Sequence, residues 1–305
     1  VSEHTVGSVT ARRMMLGVRL RRLREGHNIT RSEAGYTIRA SESKISRLEL
    51  GKVSFKERDV ADLLILYGVT DPAERAAVLQ LAREANRPPW WREYEDVLPG
   101  WFQDYIGLEQ AARSIRAYET HFVPGLLQTD DYSRAVISSR LPAPSEADVE
   151  RAVALRSRRK RLVTSAHAPE IRAIVDEAAL RRPVGSEQVR LEQLQHLLAL
   201  AKASTTTLQV LPVERSVHAA GCGAFTMLRF HQEDLPEVVY VEHLLGALYI
   251  DRHDHVQRYT QVYDRLGDLS LTHAETIDLL TELVEGRERR RKSPPATADA
   301  GRHVT

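Results

Sequence analysis

The sequence predicts a mainly α N-terminal domain joined to an α+β C-terminal domain, and three observations carry that expectation. Up to about residue 85, apolar residues recur at helical spacing between capping residues. Short runs rich in β-branched and aromatic residues gather after residue 169, with helical patterns before and after them. Charge is also divided unevenly. Residues 1–58 hold thirteen basic side chains against six acids, a net +7, so the other 247 residues carry −6 of a total of +1. With 305 residues, 42% hydrophobic and 28% charged, the chain is long enough for a buried core and fits no disordered, collagen-like or repeat pattern.

The N-terminal elements follow in order. Leu16, Leu20 and Leu23 give an amphipathic first helix that ends at Gly26–Asn28. Thr30 caps a second, with Glu33 completing a capping box. Ser41 caps a third over Glu42–Leu50, and Gly51 stops it. A fourth runs from about Phe55 to Tyr67, burying Val60, Leu63, Leu64 and Tyr67. Asp71-Pro72-Ala73-Glu74 starts a fifth, which carries to about Ala85 before Arg87-Pro88-Pro89 breaks the chain.

Beyond the prolines the expected helices are Leu108–Thr120, Asp130–Ser139, Glu146–Ala166, Glu187–Ala203, Arg252–Leu266 and His273–Glu285. Thr129, Ser145 with Asp148, and Thr272 with Glu275 mark helix starts. The expected strands are Glu170–Asp176, Thr206–Leu211, Ala224–Phe230, Val238–Glu242 and Ala247–Ile250. Domain bounds are therefore read as an arm at 1–11, a first domain at 12–68, a linker helix and hinge at 69–89, a second domain at 90–285 and a basic disordered tail at 286–305. The single cysteine, Cys222, closes no intramolecular disulfide. No apolar run approaches the roughly 20 residues of a bilayer span, and Val1–Arg13 has no apolar signal core. These features predict a cytoplasmic protein without a membrane partner.

Two short helices with a tight turn, the second opened by a capping serine, form the geometry that seats a recognition helix in a DNA major groove. At about 100° per residue, Ile45 and Leu48 of the third helix fall on one side, and Ser43 and Arg47 fall opposite, flanked by Glu42, Lys44 and Ser46. Hydroxyl, carboxylate and guanidinium groups read base edges, so Glu42, Ser43, Ser46 and Arg47 are the expected base contacts. Arg12, Arg13, Arg39, Ser41, Lys44 and Lys52 are the expected phosphate contacts. A solvated polar face is the competing reading of such a helix, and the +7 charge of the segment argues against it.

Residues 12–68 resemble the helix-turn-helix domain of XRE-type (lambda-repressor-like) regulators, and Ser41-Glu-Ser-Lys-Ile-Ser-Arg-Leu-Glu-Leu-Gly51 matches that family's recognition-helix pattern. The resemblance implies base contacts from Glu42, Ser43 and Arg47, with Arg31 and Lys44 near phosphate. It also implies a homodimer on a near-palindromic double-stranded operator. Two positions depart from the pattern. Glu33-Ala34-Gly35 stands where Glu-Leu-Ala is usual, and Arg39 occupies a turn that often holds glycine.

The second domain shows no phosphate loop, paired-histidine zinc motif, nucleophile elbow or dinucleotide fingerprint, so no catalytic residue, metal or cofactor is expected and the chain is read as no enzyme. Cys222 with His218 reads as a structural turn, and His253-Asp254-His255 as a solvated helix start. Trp90, Trp91, Tyr94, Trp101, Phe102 and Tyr105 form a dense aromatic stretch holding all three tryptophans. It either lines an apolar pocket or partner surface, or staples the linker to the second domain. The candidate ligand or partner residues are Trp90, Trp91, Trp101, Tyr105, His121, Phe122, Gln128 and Tyr132.

The residues from about Trp90 to Glu285 resemble the actinobacterial domain of unknown function 5753 of WhiJ-like, Scr-type antitoxin-like regulators. The likeness is carried by Trp101-Phe102…Tyr105-Ile-Gly-Leu-Glu109, Tyr118-Glu-Thr-His-Phe-Val-Pro-Gly-Leu-Leu-Gln-Thr129…Tyr132, Arg156…Arg158-Arg159, Asp176-Glu-Ala-Ala-Leu180, Gln209-Val-Leu-Pro212 and Val239-Tyr-Val-Glu242. It implies a transcriptional regulator that binds a small protein encoded nearby; the alternatives are a small-molecule-sensing regulator, or an enzyme or interaction module carrying a DNA-targeting domain.

Overall fold

The computed structural model describes residues 9–140, 143–162, 168–203, 206–218, 223–231 and 235–292. In chain order the helices are α1 (Val9–Gly26), α2 (Arg31–Thr37), α3 (Glu42–Glu49), α4 (Glu57–Leu66), α5 (Pro72–Ala85), α6 (Gly100–Ala111), α7 (Asp130–Ser138), α8 (Glu146–Lys160), α9 (Glu177–Arg181), α10 (Glu187–Lys202), α11 (His253–Leu269) and α12 (His273–Lys292). The strands are β1 (Ala112–Glu119), β2 (Glu170–Asp176), β3 (Thr207–Leu211), β4 (Phe225–Phe230), β5 (Val238–His243) and β6 (Gly246–Ile250), in a mixed sheet. A mainly α N-terminal region followed by helices and a mixed sheet is the fold class that the sequence predicts. Among the described residues, no helix is long and apolar enough to cross a membrane.

The described residues divide into two compact units. The first draws on Val1–Ala117, Arg158–Glu170 and Ala224–Val262; the second on Tyr118–Ser157, Ile171–Gly223 and Tyr263–Thr305. In the first, α1 to α5 close over a single core that includes Leu16, Leu20, Ile45, Leu48, Phe55, Leu63, Leu64 and Tyr67. Val78, Ala82 and Ala85 of α5 join that core, an i, i+4, i+7 stripe on one helix face. The helix that reads as a linker is thus packed as the fifth helix of the N-terminal bundle. Asn86 fastens its end, accepting from the Phe55 amide at 3.1 Å and donating back to the Phe55 carbonyl. The rest of the unit holds α6 and the antiparallel run β4–β5–β6, with Thr226 opposite Tyr240 and Tyr240 opposite Tyr249.

In the second unit β2 and β3 pair in parallel, Ala173 opposite Leu208 and Val175 opposite Val210. α12 packs on α10 and β3, and the fully buried Thr276 hydroxyl accepts from the Val210 amide at 3.3 Å. Capping explains the helix starts. Thr129, Asp176 and Ser186 each accept a backbone N–H of the first turn, and Thr272 with Glu275 closes a reciprocal box.

The helix expected over Leu108–Thr120 is corrected. α6 begins at Gly100 and ends at Ala111, and Ala112–Glu119 is strand β1. Leu108, Ala111 and Ile115 keep helical spacing, but Ala112, Ser114, Ile115, Ala117 and Tyr118 are all buried. A strand covered on both faces loses the alternation that would have revealed it. The helix start was hidden as well, because Pro99 offers no capping side chain. Further along, α8 stops at Lys160 rather than Ala166, and α12 stays helical through Lys292, inside the stretch read as a disordered tail. Cys222 lies outside the described residues.

Candidate nucleic-acid interface

The α2–turn–α3 unit is built by local hydrogen bonds. Thr30 and Glu33 form a full capping box: the Thr30 amide donates to Glu33 at 2.7 Å, and the Glu33 amide donates to the Thr30 hydroxyl at 3.1 Å. Bonds from the Thr30 backbone and side chain hold the Glu33 carboxyl below its usual range. The turn then passes through Arg39 at φ +52, a left-handed conformation costly for a residue with a Cβ. Gly35 lets it close: a Cβ there would meet the Ala40 carbonyl oxygen at 2.7 Å. The Ala40 amide bonds the Gly35 carbonyl at 2.8 Å. Ser41 opens α3 by accepting from the Lys44 amide at 3.2 Å.

On α3, Ile45 and Leu48 are buried, whereas Glu42, Ser43 and Arg47 are exposed and Ser46 is half-buried. The polar face read from the helical wheel is the surface face. Arg47 lies along the helix, with its Nε 3.4 Å from the Ser43 carbonyl. The helix is pressed against α1, where a Cβ at Gly17 would meet the Glu49 carbonyl oxygen at 2.4 Å.

The expected phosphate contacts fall into three groups. Ser41, Arg39 and Lys52 are exposed at the surface. Arg31 and Lys44 reach solvent by about a third of their side chains but are held by acids, Arg31 by Glu49 at 3.1 Å and Lys44 by Asp59 at 3.0 Å. Glu49 is a buried hub that takes Arg24 on both oxygens, at 2.5 and 3.1 Å, besides Arg31. This bonding, chiefly the Glu49 hydrogen bond, raises the Arg24 pKa further. Arg12 and Arg13 lie within α1 and turn to the end of α5, Arg12 toward Glu84 at 3.7 Å and Arg13 onto the Ala85 carbonyl at 3.0 Å.

The aromatic stretch resolves into two sets of ring contacts in the first unit. Trp90 meets Trp91 and Tyr94 edge-on, with Arg158 4.5 Å from the Trp90 ring centroid. Trp101, Phe102 and Tyr105 of α6 join Tyr240 and Tyr249, and Tyr249 donates to the Trp101 carbonyl at 2.6 Å. Beneath Phe102 and Tyr105, Arg159 grips Glu109 bidentately at 2.7 and 2.8 Å, both side chains almost fully buried. Burial raises the Tyr105 hydroxyl pKa well above its ordinary value.

In the second unit Gln128 and Tyr132 are buried and engaged. Gln128 donates to the Val123 carbonyl at 2.7 Å and accepts from Ser133 at 3.1 Å and Arg156 at 2.6 Å, while the Tyr132 hydroxyl accepts from the Val123 amide at 3.4 Å. These bonds hold the Val123–Thr129 turn. His121 is exposed and Phe122 half-buried beside that turn. A surface that the sequence reading did not single out is the β5–β6 hairpin, where Leu244, Leu245 and Leu248 are 91%, 86% and 56% exposed. Its only sequence signal was adjacent leucines in a two-residue turn.

A family model described as a domain of unknown function, DUF5753, matches residues 102–282. A second, described as a helix-turn-helix domain, matches residues 15–78, from within α1 through α4 to the middle of α5. No curated protein and no solved structure matches the chain.

Proposed function

The chain belongs to the DUF5753 family, and from that premise we propose that it is a sequence-specific transcriptional regulator of XRE type, working as a homodimer on a near-palindromic operator. The observation that carries this reading is the α3 surface: Glu42, Ser43 and Arg47 stand exposed on a helix whose opposite side, Ile45 and Leu48, is locked into the core. Such a helix presents base-reading groups without moving its backbone. Arg39, Ser41 and Lys52 border it as phosphate contacts, with Arg31 and Lys44 shared between their acids and the duplex.

The DUF5753 region is proposed to dimerise and to bind a small protein, in the antitoxin-like manner that the family resemblance implies. The exposed leucines of the β5–β6 hairpin support a protein partner, because an apolar surface patch suits a protein face. Tyr105, Gln128 and Tyr132, by contrast, are spent on packing and hydrogen bonds, which disfavours the small-molecule alternative. No residue of the chain is assigned a catalytic role.

The test is a binding titration against duplex DNA at several salt concentrations. Neutralising about six phosphates per dimer gives a slope of log affinity against log salt near −5. A slope near zero overturns the DNA reading. Sedimentation of the same protein checks the dimer.

A further inference from the structure

We propose that residues 287–292, the C-terminal end of α12, form a second DNA-binding element, one that holds the phosphate backbone without reading sequence. The choice of duplex DNA as ligand rests on the DNA-binding reading above, while the element itself belongs to the second unit, apart from the helix-turn-helix.

α12 is divided by charge. From His273 to Gly286 it holds Glu275, Asp278, Glu282 and Glu285 and no Lys or Arg. Arg287-Glu-Arg-Arg-Arg-Lys292 then holds five cations against one acid, a net +4 in six residues, and the thirteen residues after it sum to zero. Packing changes at the same point. Thr276, Leu280 and Val284 are buried at four-residue spacing on the helix that packs on α10 and β3. Seven residues further on, close to two full turns, the positions of Leu280 and Val284 recur as Arg287 and Arg291. The anchoring face therefore turns cationic, and residues 285–292 hold no apolar side chain with which to continue it. The helix nevertheless runs on from Val284 to Lys292, about 12 Å of it.

Cations near a helix C-terminus complement the helix dipole, but that effect fades within the last turn and gives no reason for Arg287 or for so large an excess. Glu285 and Glu288 stand four residues before Arg289 and Lys292, the spacing of a helical ion pair, so these two acids can balance two of the five cations. Arg287, Arg290 and Arg291 make up the excess of three. Their i, i+3, i+4 spacing sets them on one side of the helix, where like charges repel. A polyanion relieves that repulsion. Duplex DNA does so with regularly spaced phosphates, and it is the polyanion that the first unit is read to bind. An anionic membrane surface fits less well, because a helix lying in it inserts an apolar face.

The experiment uses the full chain, with a mixed-sequence duplex of about 30 base pairs as probe, since the backbone term is independent of sequence. Binding is followed by fluorescence anisotropy between about 50 and 200 mM salt, and a single-stranded RNA of the same length is run beside it. The triple change Arg287→Gln, Arg290→Gln and Arg291→Gln is expected to bind the duplex about tenfold more weakly at the low-salt end. Its salt slope should be shallower by about 2–3 for each tail that engages the duplex. Preferences selected from a random pool should stay those of the parent, because phosphate contacts carry no sequence information. The matching triple change to Lys should bind nearly as the parent does, and thermal melts confirm that each protein is folded. The inference is overturned if the folded Gln variant keeps the affinity and slope of a parent that shows a slope, or if the Lys variant loses as much as the Gln variant. It is also overturned if the Gln changes weaken RNA binding and leave duplex binding untouched. A parent without any salt slope defeats the DNA-binding reading itself, and this inference with it.

Discussion

Two buried Arg–Glu pairs sit in the first unit, and they are put to opposite uses. Arg24–Glu49 lies under the helix-turn-helix, and Arg159–Glu109 lies among the aromatic rings of α6 and β5. Each is a short, two-oxygen grip with both side chains less than a tenth exposed. Glu49, however, takes a second arginine, Arg31, whose side chain is 36% exposed. The first pair is therefore the root of a network that ends at the surface facing the proposed DNA. The second pair lies against the rings of Phe102 and Tyr105, and Glu109 also bonds the Tyr105 hydroxyl, so this pair is tied into the packing of its own helix. The difference teaches that a buried ion pair becomes a functional support only where one member passes its position to a group that solvent can reach.

The largest expected effect breaks the packing pair. Removing one partner of a buried ion pair leaves an uncompensated charge and costs about 3–5 kcal/mol. Arg159→Ala or Glu109→Ala should therefore lower the chemical-denaturation midpoint severely. The double change Arg159→Met with Glu109→Leu should recover much of the loss, because apolar residues of similar volume suit a site lined by aromatic rings. If both single variants denature like the parent, the pair is not the anchor described. If the double variant is as weak as the singles, the polar network is needed for more than charge balance.

A smaller effect sharpens the other side of the comparison. Arg47→Ala removes a proposed base contact and should cost about 1–3 kcal/mol of operator binding, with relaxed specificity at one base position. Arg31→Ala should weaken all duplexes alike, because the role proposed for Arg31 is a phosphate contact made from its seat on Glu49. Selection of binding sites from a random pool separates the two. Identical sequence preferences from both variants would show that the base and phosphate roles are wrongly divided.

The sequence showed this region well and the other poorly, for a physical reason. Capping is local, so Thr30 with Glu33, Ser41, and Asp71 with Pro72 announced α2, α3 and α5 within a residue or two. The exposed face of α3 followed from helical periodicity alone. Ion pairs are not local: Arg31 meets Glu49 eighteen residues on, Lys44 meets Asp59 after fifteen, and Arg159 meets Glu109 after fifty. None of these leaves a pattern in a single sequence, so two expected phosphate contacts were read without the acids that share them. Burial on both faces hid β1 in the same way. The β5–β6 leucines went unmarked because two leucines in a turn have no periodicity to violate.

The smallest expected effect concerns Arg39, which links the two levels of that comparison, local backbone and surface charge. Its φ of +52 places a side-chain-bearing residue in the left-handed region, at a turn where the resembling family often has glycine. It also puts a cation just ahead of α3, whose N-terminus already carries the positive end of the helix dipole. Both features work against stability. Glycine would relieve them, offset in part by the greater freedom it restores to the unfolded chain. Arg39→Gly is therefore expected to stabilise the protein by about 0.5–1 kcal/mol, read as a higher melting temperature. The same variant should bind duplex DNA more weakly, since the proposed phosphate contact is lost, whereas Arg39→Lys should keep the charge, the strain and most of the binding. A variant that is both more stable and equally tight on DNA would mean that Arg39 has no part in the interface, and that its strained backbone is held for nothing the DNA requires.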